Sequence, residues 1–208
     1  MDYALISAAY IAAAILFILC LGGLSGQESA KRAVWYGIAG MAMAVFATVL
    51  GEGVGYYPLI GLAIVAGSVL GWYLAKTVEM TSMPQLVAAL HSFVGLAAVF
   101  IGINTHIVLG QVWPIIEVHD ATGSLPPDYA TLTGFAAIVA HKTLTEVAIL
   151  KVETFLGVFI GAVTFTASVI AFGKLAGKVD GKAKKLPGGH ALNAVAAAAS
   201  LLLLVLYM

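Results

Sequence analysis

Six long apolar stretches constrain this chain more than any other feature of its sequence. Each approaches or exceeds the roughly 20 residues that a helix needs to cross a bilayer. Only 10% of the residues are charged and 62% are hydrophobic, whereas a soluble domain carries about 25% charged residues. The pattern therefore excludes a soluble enzyme domain and predicts an all-α fold, a polytopic transmembrane helix bundle. The predicted spans are about 3–24, 34–50, 58–75, 84–103, 154–172 and 190–207.

Charge and motifs exclude several function classes. Ten basic residues balance ten acidic ones without a basic stripe, so nucleic acid is not an expected partner. The chain has no phosphate-binding loop, no dinucleotide-binding glycine motif, no nucleophile elbow and no paired metal-ligating histidines at helical spacing. We therefore expect no metal site and no hydride, phosphoryl or hydrolytic chemistry from this chain alone.

Basic residues set the predicted orientation in the membrane. Eight of the ten lie in the first, third and fifth connections, five of them between Lys174 and Lys185. Cytoplasmic loops of membrane proteins carry an excess of Lys and Arg. We therefore expect these connections in the cytoplasm, and the N-terminus, Glu52 and the long fourth connection on the opposite side.

The fourth connection, 104–153, is too long for a simple hairpin. Its first part holds three prolines and two glycines, which is typical of an irregular loop. Its second part, 131–150, mixes apolar and charged residues and is predicted to form an amphipathic interfacial helix. A seventh span is the alternative there, although it would put the lysine-rich connection outside, against the charge rule.

His91 is the residue best suited to chemistry, because it lies about a third of the way into the span 84–103. An ionisable group at that depth is costly and usually faces a bundle interior or a wet cavity. Histidine exchanges protons near neutral pH. The sequence leaves two explanations open, a proton relay or a histidine hydrogen-bonded for packing. A relay requires polar neighbours, so we expect His91 to face the bundle interior, next to hydroxyl or amide groups of other helices.

Polar residues could form a lane along the same helix, through which protons or water reach His91. Ser92 follows His91, Asn104 lies near the outer end, and Gln85 and Glu79 lie near the inner end. Polar residues are also common at helix ends, so each has a structural explanation.

A hydroxyl cluster occupies the later span, where Thr164 and Ser168 share one helix face with Thr166 between them. Hydroxyls in membrane helices often bond their own i−4 carbonyl, which is the structural alternative to a role in a pathway. The remaining histidines lie in or next to connections and are expected to be solvated or interfacial: His106, His119, His141 and His190.

Several ordered stretches carry a family resemblance. The most telling is VEMTSMPQLVAALHSFVGLAA at 78–98; others are AAYIAAAILFI at 8–18, GIAGMA at 37–42, and FLGVFIGAVTFTAS at 155–168 with FGKL at 172–175. These stretches resemble the membrane domain of the beta subunit of proton-translocating NAD(P) transhydrogenase. The resemblance covers most of the chain outside 105–150.

The resemblance implies a membrane part that conducts protons, coupled to hydride transfer between NAD(H) and NADP(H) in soluble domains. It implies that His91 is the proton-pathway residue and links Ser168 to that pathway, so Ser168 is the expected partner of His91 in this chain. NAD and NADP would be bound by other domains, and none by this chain. The implied partners are the alpha subunit with its NAD-binding domain, the NADP-binding domain of the beta subunit, and the bilayer. The whole enzyme would be a dimer in the bacterial inner membrane.

Three departures from the family pattern stand out. Gln85 occupies a position where relatives can carry glutamate, Ala167 replaces the usual glycine before the serine, and the connection 104–153 is longer than in relatives. The family continues with further helices and an NADP-binding domain, so this chain is expected to be the N-terminal part of the beta subunit. A secondary transporter or channel for a small solute is the alternative, disfavoured because there is one central ionisable group and no clear inverted repeat.

Overall fold

The computed structural model describes residues 3–51, 54–182 and 188–208, without the side chains of Tyr3 and Asp128. Within these residues there is no strand, and six helices are long and apolar enough to cross a membrane. The all-α class is therefore confirmed. Glu52, Lys184 and Lys185, which the orientation argument used, lie outside the described residues.

The helices are α1 (Tyr3–Leu24), α2 (Gln27–Val49), α3 (Tyr57–Thr77), α4 (Met83–Thr122), α5 (Phe135–Ala140), α6 (Leu144–Leu175) and α7 (Gly189–Tyr207), with short 3₁₀ helices at Met80–Ser82 and Pro127–Thr131.

The chain divides into two compact units, the first of which is built on α1 and α2. These helices pack through small residues, since a Cβ added at Gly40 would lie 3.2 Å from the carbonyl oxygen of Ala13. The hydroxyls of Tyr10 and Thr48 are 2.8 Å apart and join the far ends of the pair. Small residues let helix backbones approach closely in lipid, where apolar burial gives no driving force between helices.

The second unit is built on a longer antiparallel pair, α4 and α6. Four buried residues of α4, beginning at Gly95, recur every seven positions, which is the spacing of a left-handed coiled pair. The buried residues of α4 are Ser92, Gly95, Gly102, Thr105, Leu109, Val112 and Ile116, and those of α6 are Val147, Thr154, Gly161 and Gly173.

Two glycines mark the closest approach of α4 and α6. A Cβ added at Gly95 would lie 2.6 Å from the backbone nitrogen of Phe165 and 2.7 Å from the carbonyl oxygen of Gly161. A Cβ added at Gly161 would lie 2.7 Å from the carbonyl oxygen of Gly95. Both positions therefore require glycine, because the facing atoms belong to backbone that cannot move aside.

The prediction of an irregular loop after residue 104 is wrong, because α4 continues without interruption to Thr122. Pro114 lies inside the helix and removes the hydrogen bond that the Gly110 carbonyl would accept. The helix persists because Val112 and Ile116, on either side of Pro114, are fully buried. Tertiary packing thus overrides the local signal of proline and glycine.

The helix predicted over 131–150 is also wrong as a single element. The segment contains the short α5 and the first two turns of α6. Gly134, with φ 67°, takes a left-handed conformation just before α5. Thr143 begins α6 with a capping box, in which its Oγ1 accepts from the Glu146 backbone N–H and the Glu146 carboxylate accepts from the Thr143 N–H. The breaks therefore have local causes in turn and cap residues.

Together these segments form a hairpin extension, residues 104–150, beyond the predicted span of α4. Helix α4 has 40 residues, or about 60 Å at 1.5 Å per residue, whereas the hydrocarbon core of a bilayer is about 30 Å thick. The extension has a core of its own, formed by Leu109, Val112, Ile116, Val139, Ala140 and Val147. It is a small packed structure at the end of the α4–α6 pair.

We predict that Gly95→Ala destabilises the protein by about 1–3 kcal/mol, because the added methyl overpacks the helix contact. The midpoint of thermal unfolding in detergent measures the effect. Gly157→Ala is the matched control on α6, since a Cβ there meets nothing within 4 Å. An equal midpoint for the two variants would contradict the proposed close contact.

We also predict that Thr143→Ala lowers the stability of the first turn of α6 by about 0.5–2 kcal/mol, the usual worth of an N-cap. Amide hydrogen exchange at residues 144–147 measures it. Thr145→Ala removes an exposed hydroxyl from the same turn and serves as the control. Unchanged exchange in Thr143→Ala, or equal acceleration in both variants, would show that the cap does not hold this turn.

Candidate functional site

His91 lies on α4 beside its contact with α6 and is exposed within this chain. Its Nδ1 is 3.1 Å from the carbonyl oxygen of Val87, one turn earlier on the same helix. The next residue, Ser92, is buried in the helix contact. A step of one residue turns a side chain by about 100°, so the buried stripe includes Ser92 and leaves the imidazole of His91 outside it.

The hydrogen bond to Val87 determines which nitrogen of the His91 ring carries hydrogen. A carbonyl oxygen only accepts hydrogen bonds, so Nδ1 must carry hydrogen when the bond is made. In the neutral ring the lone pair then resides on Nε2, and in the charged ring both nitrogens carry hydrogen. Nε2 is therefore the ring nitrogen that this hydrogen bond leaves open.

The predicted neighbourhood of His91 and Ser168 is not observed within this chain. The imidazole is exposed, and its recorded partner is the Val87 carbonyl rather than a hydroxyl on α6. Ser168 is half-buried on α6, and its hydroxyl has no hydrogen bond within the residues that the structure describes. Ser168 therefore retains a free hydroxyl, while Thr166 bonds the carbonyls of Ala162 and Val163 in its own helix.

The hydroxyls buried between α4 and α6 are used within their own helices. Ser92 Oγ donates to the Ala89 carbonyl at 2.6 Å, and Thr105 Oγ1 donates to the Ile101 carbonyl at 2.9 Å. These bonds satisfy the hydroxyls where water is excluded. The Ser92 hydroxyl is therefore satisfied within its own helix, and its part in a polar lane stays a prediction.

The other members of the predicted polar lane lie apart. Gln85 Nε2 donates to the Leu175 carbonyl at 3.0 Å and ties the end of α6 to the start of α4. Glu79 precedes α4 and accepts a hydrogen bond from Thr81, 3.4 Å away. Asn104 is exposed on α4. Gln85 thus links the start of α4 to the end of α6. Among the described residues, these polar groups do not form one continuous path.

A group of aromatic and basic side chains, which sequence reasoning missed, surrounds the end of α7. The rings of His106 and Phe155 lie 5.4 Å and 6.1 Å from that of Tyr207. Lys151 Nζ lies 4.5 Å from the centre of the Trp113 ring. Sequence reasoning missed this group because it predicted a loop where α4 continues. In a helix, His106 and Trp113 are two turns apart and lie on the same side.

The end of the hairpin extension holds two histidines. The rings of His119 and His141 are 6.1 Å apart, and His141 Nε2 is hydrogen-bonded to the Tyr129 hydroxyl. His119 lies within α4, not in a loop, and its buried Nδ1 has no hydrogen-bond partner in the described part of the chain. No group of three or more His, Cys, Asp or Glu among the described residues could hold a metal ion.

The described residues also offer no dinucleotide-binding geometry. Such sites place the pyrophosphate at a glycine-rich turn between a strand and a helix, and no strand is present among the residues described.

Comparison with known proteins identifies the family. The model of the NAD(P) transhydrogenase beta subunit family matches residues 6–208. Two curated sequences named NAD(P) transhydrogenase subunit beta, from Rhodospirillum rubrum and from its strain ATCC 11170, are each 42% identical over 190 residues. The match covers 91% of this chain but only 35% of each relative. The chain belongs to the family of NAD(P) transhydrogenase beta subunits.

Proposed function

We propose that this chain is the membrane part of a proton-translocating NAD(P) transhydrogenase and that His91 relays the protons. The observation that carries the proposal is a titratable side chain deep in a predicted span, with Nε2 free to exchange a proton. The chain belongs to the NAD(P) transhydrogenase beta-subunit family, which supports hydride transfer between NAD(H) and NADP(H) as the reaction coupled to the relay. An isolated charge at this depth would be costly, so a role in proton movement accounts for its presence.

The relay needs surroundings in which both protonation states of His91 are accessible. Burial among apolar groups would favour the neutral ring, whereas water or polar groups stabilise the charged one. Within this chain the ring is exposed rather than enclosed. Since the chain covers 35% of its relatives, further helices of the beta subunit or another subunit supply the remaining walls, and Ser168 contributes from α6.

Hydride transfer between NAD(H) and NADP(H) takes place outside this chain. The alpha subunit carries the NAD-binding domain, and a later domain of the beta subunit binds NADP. The whole enzyme is a dimer in the bacterial inner membrane. The membership of the chain in the beta-subunit family supports its place in an NAD(P) transhydrogenase.

The proposed orientation places the N-terminus and the hairpin extension outside and the lysine-rich connection in the cytoplasm. The support is the distribution of basic residues, eight of which lie in the first, third and fifth connections. The family membership of a membrane enzyme and the six apolar helices agree with a bilayer-spanning chain.

In the intact enzyme, we predict that His91→Ala retains nucleotide binding but lowers proton-coupled turnover by about 100-fold or more, the usual worth of a positioned acid–base group. Proton uptake by reconstituted vesicles and nucleotide affinity are measured together. His190→Ala is the control, because His190 is exposed in the first turn of α7.

Normal proton pumping by His91→Ala would disprove the relay. Loss of nucleotide binding in the same variant would instead indicate misfolding, and His91→Gln then repeats the test with a side chain closer in size. Solute-driven proton movement without nucleotides would favour a transporter and contradict the coupling to hydride transfer.

We predict that a membrane-impermeant maleimide labels Lys182→Cys from the cytoplasmic side and Ser124→Cys from the opposite side. The native cysteines, Cys20 among them, are first replaced. Inverted and right-side-out vesicles provide the two accessible faces. Labelling of position 182 from the outside would reject the orientation, and labelling of both positions from one face would reject an odd number of crossings between them.

A further inference from the structure

The connection between α6 and α7 is the most strongly charged segment of the chain. Residues 174–185 hold five lysines and a single acidic residue, Asp180. Both helices that it joins are long and apolar enough to cross a bilayer, so in a spanning chain the connection meets the lipid surface at both of its ends. Lys174, Lys178 and Lys182 belong to the described residues, and all three are exposed. We call these three side chains the basic patch.

A turn at the end of α6 keeps two lysines of the patch at the level of the helix end. Gly177, with φ 68°, reverses the chain. The backbone N–H groups of Lys178 and Val179 donate to the Gly173 carbonyl oxygen at 2.8 Å and 3.0 Å, as in a Schellman motif. Because of these bonds, Lys178 lies beside the last helical turn, which also carries Lys174.

The carbonyl groups at the end of α6 do not engage the lysine side chains. Lysines near a helix C-terminus can bond the last carbonyl oxygens. Here the carbonyls of Gly173 and Lys174 already accept hydrogen bonds from backbone N–H groups, and the Leu175 carbonyl accepts one from Gln85 Nε2. The ammonium groups of the patch have no hydrogen-bond or carboxylate partner among the residues that the structure describes.

The remaining neighbours leave the charge of the segment in place. Lys178 Nζ lies 6.0 Å from the centre of the Phe172 ring, which is the outer limit of a cation–π contact. Asp180 Oδ1 accepts a hydrogen bond from the backbone N–H of Lys182 at 3.1 Å. Residues 174–185 therefore carry a net positive charge of four.

From this placement and charge we propose that the basic patch binds the anionic phosphate headgroups of the lipids around the end of α6. Lysines next to a membrane helix are attracted to anionic lipid, each by about 1 kcal/mol, or about fivefold. The attraction acts over a Debye length, about 8 Å at physiological salt. The turn that holds Lys178 beside the helix end therefore favours the adjoining headgroups over a more distant acidic protein. The proposal requires only that α6 crosses a bilayer, and it does not rest on the proton relay.

The test records locally which lipid lies at the patch. A photoreactive benzoylphenylalanine replaces Gly181, where an added side chain meets nothing within 4 Å. The intact enzyme is irradiated in vesicles of equal phosphatidylglycerol and phosphatidylcholine, and the adducts are weighed. We expect adducts with phosphatidylglycerol to exceed those with phosphatidylcholine. A main adduct with protein would assign the patch to a polypeptide partner and overturn the proposal.

Variants of the patch separate its charge from its packing. We expect Lys178→Gln to lower the ratio of phosphatidylglycerol to phosphatidylcholine adducts about fivefold, and Lys178→Arg to keep it. Lys142→Gln is the control and should also keep the ratio. His141, its neighbour in sequence, contacts His119, which lies about 51 Å along α4 from Gln85. An unchanged ratio in Lys178→Gln, or an equal loss in Lys178→Arg, would overturn the proposal.

Two further conditions test the unmodified patch, so they do not depend on the folding of a variant. In 1 M salt the Debye length falls to about 3 Å, and the excess of phosphatidylglycerol adducts should disappear. An excess that persists there would overturn the proposal. Glycerol phosphate added to the solution carries the same phosphate chemistry without acyl chains. It should leave the adduct ratio unchanged, whereas loss of the excess would assign the patch to a soluble phosphate.

Discussion

The backbone contact between α4 and α6 at Gly95 and Gly161 is the constraint on which the second unit depends. Lipid gives no hydrophobic gain for bringing two helices together, so close packing must supply the attraction. At this contact each glycine faces the other's carbonyl oxygen, with no room for a side chain. The contact fixes the rotation of α4, and therefore which of two consecutive residues is buried: Ser92 enters the interface and His91 does not.

The same pair is longer than the roughly 30 Å of a bilayer's hydrocarbon core, and the residues of its interface change along its length. Near Gly95 the interface consists of glycine and hydroxyl residues, whereas at Leu109, Ile116 and Val147 it is a conventional apolar core. The hairpin extension therefore has an apolar core of its own, unlike the close backbone contact at Gly95.

The sequence was sufficient for the helical class and for six helices of spanning length, because apolar length depends on composition alone. It failed in the segment 104–150, where Pro114 and Gly110 indicated a loop. In the structure, Val112 and Ile116 of that segment are buried against residues distant in the sequence, such as Val139 and Val147, and this packing favours the helix. For the site, the sequence singled out His91 but did not predict whether its side chain faces α6. A shift of one residue along the helix turns a side chain by about 100°, and apolar length does not fix that rotation. The His106–Tyr207 contact joins residues about a hundred positions apart and had no local signal.

The bond from His91 Nδ1 to the Val87 carbonyl bears on the direction in which the proposed relay moves protons. Both nitrogens of a charged imidazole carry hydrogen, so a proton can be taken up at one nitrogen and released from the other. Here Nδ1 is hydrogen-bonded to the helix backbone. While that bond persists, only Nε2 is available to the proposed relay. In the proposed relay, a proton that enters at Nε2 must also leave from Nε2. Net movement across the membrane then requires that the region facing Nε2 open to one side and later to the other, so vectorial transport would be decided by the neighbours of His91 and not by its ring.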